Sequence, residues 1–158
     1  MKFIAHRGNV HGKIQSLENK PSHIDTALNL GYDAEIDVWI LNNVIYLGHD
    51  EPETEILLSF LEKRSEKLWC HAKNLEALEF LIEKRFNCFF HDKDDYTLTS
   101  KGNIWAYPGT KLNKNTICVM PEMCNNDNQY KINDILNSYG VCSDSVSFYR
   151  DQFILLSK

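Results

Sequence analysis

Short apolar runs recur along this chain, and nearly every one ends in a histidine, a carboxylate or a basic residue. Residues 3–5 predict a strand that stops at His6 and Arg7. A helix is expected over 21–30, with Pro21 in its first turn, Ile24, Ala27 and Leu28 on one face, and Gly31 as its stop. Residues 34–40 read as a strand, and Asn42-Asn43, which tolerates the positive φ of a tight turn, leads into a hairpin partner at 44–47. Thr54 is placed to cap a helix carrying Ile56, Leu57, Phe60 and Leu61. Asn74 is placed to cap another, with Leu75, Leu78, Leu81 and Ile82 as its buried stripe.

Further apolar runs at 68–73, 87–91, 104–107, 117–120 and 141–142 continue the series. Strands alternating with helices imply a parallel sheet with crossover helices. The segment 97–103 lacks helical periodicity, so a loop or hairpin is expected to replace one crossover there. In a parallel barrel the chemistry gathers at the carboxyl ends of strands. The polar tips of these runs, His6-Arg7, Glu35 with Asp37, His49-Asp50, His71 with Lys73, His91-Asp92, Glu122 and Asp144, fit that expectation.

Glu35 and Asp37 stand two apart, which puts both carboxylates on one face of a strand and Ile36 and Val38 on the other. Two such groups can hold a hard cation; an exposed edge strand with its charged face in water would show the same alternation. His6 and His49 have the pKa range needed for general acid and base work. Arg7 can bind a phosphoryl oxygen with its planar fork, or pair with Glu18 or Glu35 for structural reasons. Trp69, Trp105 and Tyr107 are expected to pack in the core or at the rim; His91-Asp92 with Asp94-Asp95 could add metal or substrate ligands, though an acidic, solvated loop is the expected reading.

Composition narrows the function classes. The chain has 158 residues, 43% hydrophobic and 25% charged, enough for one ordinary core and hence one domain over 1–158. A formal net charge of -5, with no Lys/Arg run interleaved with aromatics, argues against a nucleic-acid-binding surface. The apolar stretch at the start is too short for a signal core or a membrane span. Five scattered cysteines without a C-x-x-C pair favour free thiols, and a cytoplasmic location is expected.

The run Ile4-Ala5-His6-Arg7-Gly8, then Glu18-Asn19, the helix ending at Gly31, Ala34-Glu35-Ile36-Asp37-Val38, and His49-Asp50 resembles the signature of glycerophosphodiester phosphodiesterases. That family belongs to the superfamily of phosphatidylinositol-specific phospholipase C-like phosphodiesterases. The resemblance covers residues 4–50 and implies an α/β fold of TIM-type (β/α) barrel form, with one divalent cation. It implies His6 and His49 as catalytic residues, Arg7 and Lys73 as phosphate-binding residues, and Glu35 and Asp37 as metal ligands, with His71 standing at a further ligand position. Glu122 and Asp144, by their place at strand ends alone, are candidate ligand or supporting carboxylates. Where the family pattern has an acidic ligand two positions before its lysine, this chain has His71. The family cation would be Mg²⁺ or Ca²⁺; an imidazole ligand suits Mn²⁺ or Zn²⁺ better.

Barrels of this kind take about 200–250 residues, so a barrel reduced or irregular in its second half is expected, with residues 152–156 as an eighth strand. A homodimer would cover any edge left open. The expected activity is metal-dependent hydrolysis of a small-molecule phosphodiester with two histidines moving protons. The alternative is a weak or inactive barrel that binds a phosphate ligand or a protein.

Overall fold

The computed structural model describes residues 1–124 and 129–158. Strand β1 (Lys2–His6) lies in the middle of one curled sheet, parallel to β2 (Asp33–Leu41) on one side and to the last strand, β10 (Gly140–Ser143), on the other. The nine-residue β2 is a branch point. Its first part pairs with β1 and with the parallel strand β5 (Leu68–Ala72), and its end pairs with the antiparallel β3 (Val44–Leu47). Beyond β3 lies β4 (Thr54–Ile56), and beyond β5 lies the short β6 (Cys88–Phe89). On the far side β10 is followed by β9 (Thr116–Val119), β8 (Ile104–Ala106) and the antiparallel β7 (Tyr96–Leu98).

The expected TIM-type (β/α) barrel is not the fold. The sheet curls but stays open, because β6 pairs with β5 alone and β7 with β8 alone. Helices are few and do not alternate with strands: α1 (Pro21–Asn29), α2 (Leu58–Glu62), α3 (Leu75–Glu83), α4 (Ile132–Leu136) and α5 (Val146–Leu156). Two hairpin strands intervene between β2 and α2, and no α-helix stands between β6 and β9. The cause is local: segment 97–103 has no apolar stripe with which to cover the sheet, and forms half of the β7–β8 hairpin instead.

Two element assignments also change. Residues 152–156 belong to α5 and supply no eighth strand. Thr54 caps no helix; it pairs with Leu47 in β4, which buries Ile56 against Ile45, and α2 begins without a side-chain cap. The expected stripe of α3 is only half right: the helix turns Ala77 and Leu81 to the sheet, which leaves Leu75 and Ile82 exposed on its outer face. The turn and capping signals match. Asn42 and Asn43 take φ of +50° and +64° in the hairpin turn, Gly31 takes +88° after α1, and the Asn74 side chain accepts from the Ala77 amide at 3.1 Å.

The open gap is partly sealed by Ser100. Its amide donates to the Cys88 carbonyl at 2.7 Å, its hydroxyl donates to the Phe86 carbonyl at 2.9 Å, and it accepts from the Cys88 amide at 3.0 Å. The edge groups of Cys88 are thus satisfied without a neighbouring strand.

Side-chain alternation sets out the layers. Ile4, Trp69, Phe89, Trp105, Ile117 and Cys142 form one buried cluster within the curl, contributed by six different strands. Two positions further along the chain, within or just past the strand ends, stand His6, His71, His91, Tyr107, Val119 and Asp144, which all line the cleft above this cluster. The apolar layer is the floor on which the polar tips rest. α1, α2 and α3 cover one part of the convex face with Ile24, Leu61 and Leu81, and α5 covers β1 and β10 with Val146 and Tyr149.

Candidate metal centre and cleft

A cleft of about 550 Å³ opens at the carboxyl ends of the parallel strands. His6, Arg7, Glu35, His49, His71 and Lys73 line its polar side. Phe89, Trp105, Tyr107 and Met123 line the other.

At the base lie Glu35, Asp37 and His71, all buried, with one ligand-type atom from each within 4.8 Å of the others. Glu35 and Asp37 sit on β2 and His71 on β5, directly opposite Asp37 in the parallel register. The edge-strand reading of the carboxylate pair is therefore excluded, since β2 is paired on both sides and Asp37 has no exposure. His71 Nδ1 is 3.0 Å from Asp37 Oδ1, and Lys73 Nζ is 3.6 Å from the same oxygen. Asp37 Oδ2 accepts from Asn19 Nδ2 at 2.9 Å and lies 3.0 Å from Arg7 Nε, an ion pair whose geometry is too oblique for a hydrogen bond.

The two carboxylates are held in opposite ways. Burial disfavours charge on Asp37, but the hydrogen bond from His71 and the charges of Arg7 and Lys73 outweigh it and hold its pKa well below the usual carboxylate range. Burial raises the pKa of Glu35, and the neighbouring Asp37 raises it further, against the opposing effect of His6 and Arg7. Among the described residues Glu35 accepts one hydrogen bond, from the Arg7 amide at 3.2 Å. A buried carboxylate this sparsely bonded beside a second carboxylate is a donor set that a divalent cation fits.

Arg7 is fastened as the structural alternative foresaw, and to more partners. Its Nη1 donates to Glu18 at 3.0 Å, and its backbone takes a left-handed φ of +52°, which aims the amide at Glu35. Such a conformation costs a non-glycine residue about 1–3 kcal/mol and persists only where surroundings enforce it. Gly8 follows at φ +87°, and a Cβ there would meet the His23 ring at 3.0 Å and the Ile24 amide nitrogen at 3.1 Å.

His6 is oriented by Asp144, whose Oδ1 lies 2.7 Å from Nδ1, while Nε2 lies 4.0 Å from Glu35. Burial lowers the pKa of His6, but the Asp144 hydrogen bond and the Glu35 charge more than reverse this, so the net shift is upward. His49 follows β3 and bonds through Nδ1 to Asp50 at 2.7 Å. Its pKa is lowered, by burial first and then by Arg7 and Lys73 against the pull of Asp37.

Glu122 does not join the metal cluster. It accepts from Ser143 Oγ at 2.8 Å and from the Asp144 amide at 2.9 Å, and so holds the residue that holds His6. Two participants, Asn9 and Lys13, do not stand out in the pattern of the chain, and a third, His91, stands only among the polar strand tips. Asn9, fully buried, donates to both Glu18 and Asp144 and accepts from the Ile14 amide. Lys13 reaches the cleft rim. The His91 ring lies parallel to that of His71 at 4.6 Å. Only the position of Asn9 directly after His6-Arg7-Gly8 hints at its role.

All five cysteines are free, and no helix among the described residues is long and apolar enough to cross a membrane. Comparison with protein-family models, with curated proteins and with solved structures finds no match for the chain.

Proposed function

We propose that the protein cleaves a small-molecule phosphodiester with the help of one divalent cation, in the manner of the glycerophosphodiester phosphodiesterases that residues 4–50 resemble. The observation that carries this reading is the convergence of Glu35, Asp37 and His71 at the base of a cleft whose walls hold His6 and His49. Glu35, Asp37 and His71 would hold the cation. When bound, it supplies positive charge to the phosphoryl oxygens.

The remaining steps fall to the chain itself. Lys73 and the outer nitrogen of Arg7, whose Nη1 and Nε already face Glu18 and Asp37, bind the non-bridging oxygens and stabilise the charge that builds on them. His6, fixed by Asp144, and His49, fixed by Asp50, move protons at the entering and leaving oxygens. The free cysteines suit a reducing, cytoplasmic setting.

The test is hydrolysis of bis(p-nitrophenyl) phosphate and of glycerophosphocholine with Mg²⁺, Ca²⁺, Mn²⁺ or Zn²⁺ added to the chelator-treated protein. Cation-dependent turnover that falls by about 10²-fold or more in His6→Ala, His49→Ala and Glu35→Ala is expected. Absence of turnover with every cation, or three variants as active as the parent, would sink the reading. Phosphate binding without turnover would instead favour a binding module, the role in which Arg7 and Lys73 alone matter.

A further inference from the structure

We infer that the cation site is built for a nitrogen-liganded first-row transition ion of the Zn²⁺ or Mn²⁺ class, with His71 as its imidazole ligand, in place of Mg²⁺ or Ca²⁺. This rests on the cation site of the proposed function but does not need the hydrolytic reaction. Three features of the donor set carry it.

First, His71 turns Nδ1 toward the carboxylates, 3.0 Å from Asp37 Oδ1, a separation that two ligands of one ion can share. The ring is not free to turn away, since it lies parallel to Phe89 at 5.1 Å and to His91 at 4.6 Å, both within 8°. Second, each carboxylate has one oxygen already engaged. Asp37 Oδ2 faces Asn19 and Arg7, and Glu35 Oε2 accepts from the Arg7 amide, which leaves Glu35 Oε1 and Asp37 Oδ1. The latter is bonded to His71 Nδ1 with Lys73 at 3.6 Å, and an ion would take the place of the proton shared between Asp37 and His71. Third, the resulting set is two oxygens and one nitrogen. Ca²⁺ takes six to eight oxygens, and Mg²⁺ prefers an all-oxygen octahedron. Three protein donors including an imidazole, with positions left open, is the composition of catalytic sites for zinc and its neighbours.

The chelator-treated full chain is titrated with Zn²⁺, Mn²⁺, Co²⁺, Mg²⁺ and Ca²⁺ in a calorimeter, and the zinc-loaded protein is examined by X-ray absorption. Zinc, cobalt or manganese binding at least about 100-fold tighter than Mg²⁺, with an imidazole scattering signature, is expected. His71→Ala should weaken zinc by about 10–100-fold and erase that signature, and His71→Glu, which supplies the missing oxygen, should shift preference toward Mg²⁺ and Ca²⁺. His91→Ala, read beside it, should keep the signature. Equal affinity for Mg²⁺ and zinc in the parent, or an imidazole signature that survives in His71→Ala and vanishes in His91→Ala, would overturn the inference. If His71→Ala fails to fold, as judged by circular dichroism, His71→Glu and the parent decide. Tight zinc binding without hydrolysis would refute the proposed activity and leave this assignment standing; Mg²⁺-driven hydrolysis without zinc preference would do the reverse.

Discussion

Nδ1 of His6 lies 2.7 Å from Oδ1 of Asp144, a contact between the end of the first strand and the residue that follows the last one. The parallel pairing of β1 with β10 makes this contact, by setting Ala5 opposite Ser143. Asp144 is held in turn by Asn9 and, through its amide, by Glu122. The first and last strands therefore meet at the residue proposed to move a proton.

Asp144→Asn should lower the hydrolytic rate constant by about 10-fold or more with little change in KM, because His6 loses its orienting carboxylate while the phosphate contacts stay. Steady-state kinetics on a chromogenic diester reads this directly. A rise in KM at unchanged kcat would show that Asp144 serves substrate binding.

Histidine-resolved NMR of the metal-free protein should set apart three of the six histidines. His6 titrates above its ordinary value of 6.5, His49 below it, and His91 near about 4, because burial and the charges of His71 and Lys73 all disfavour its cation. A folded pKa raised above 6.5 means that the contribution of His6 to stability is complete below pH 6.5 and is lost as pH rises through the folded value. Burial disfavours charge on Asp144, but the hydrogen bond and charge of His6, with the Asn9 hydrogen bond and the Lys13 charge, together outweigh it and lower its pKa below the ordinary 3.8, so its contribution is complete above 3.8 and is lost as pH falls. The stability difference between the parent and Asp144→Asn should then be largest between about pH 4 and 6.5 and decline on both sides. Urea unfolding across pH 3 to 9 measures it; a flat difference would contradict the pairing.

Asn19 makes two bonds to one residue, its Nδ2 donating to Asp37 Oδ2 and its Oδ1 accepting from the Asp37 amide. Asn19→Gly keeps a backbone suited to the φ of +58° found there and removes only the amide. Loss of about 1–3 kcal/mol in urea unfolding is expected from the buried groups left unpaired. Cation affinity should fall by about 10–100-fold as Asp37 loosens. Calorimetric titration on the same sample separates the two effects.

Gly48 has no room for a side chain, because a Cβ there would run into the Glu51 carbonyl, and its own carbonyl accepts from Trp39 Nε1 at 2.7 Å. Gly48→Ala should displace the following His49 and cut turnover by about 10-fold or more, leaving cation affinity within about 2-fold of the parent. A comparable loss of cation binding would mean that the turn also shapes the metal centre.

Much of the site was legible because its residues are grouped locally. Glu35 and Asp37 share a strand face by spacing alone, His6, Arg7 and Gly8 are consecutive, and the Asn42-Asn43 turn carries its own conformational preference. What escaped detection depends on long-range pairing. Whether β2 was an edge or a branch point, whether the curl closed, and whether Glu122 reached the metal cluster or braced Asp144 are decided by neighbours distant in the chain. Residues 152–156 show the limit plainly: a run of that length suits a strand or a helix, and they continue a helix that Val146 and Tyr149 anchor on β1 and β10, with Ile154, Leu155 and Leu156 left exposed.

By itself, then, the order of residues determined which chemical groups this protein possesses and which of them share a strand or a turn, because alternation and turn propensity act over a few residues. Only the tertiary structure decided that His71 faces Asp37, that Asp144 orients His6 and that the sheet remains open. Those outcomes depend on strand register and on contacts between segments far apart in sequence, where a one-residue slip would turn every side chain to the opposite face.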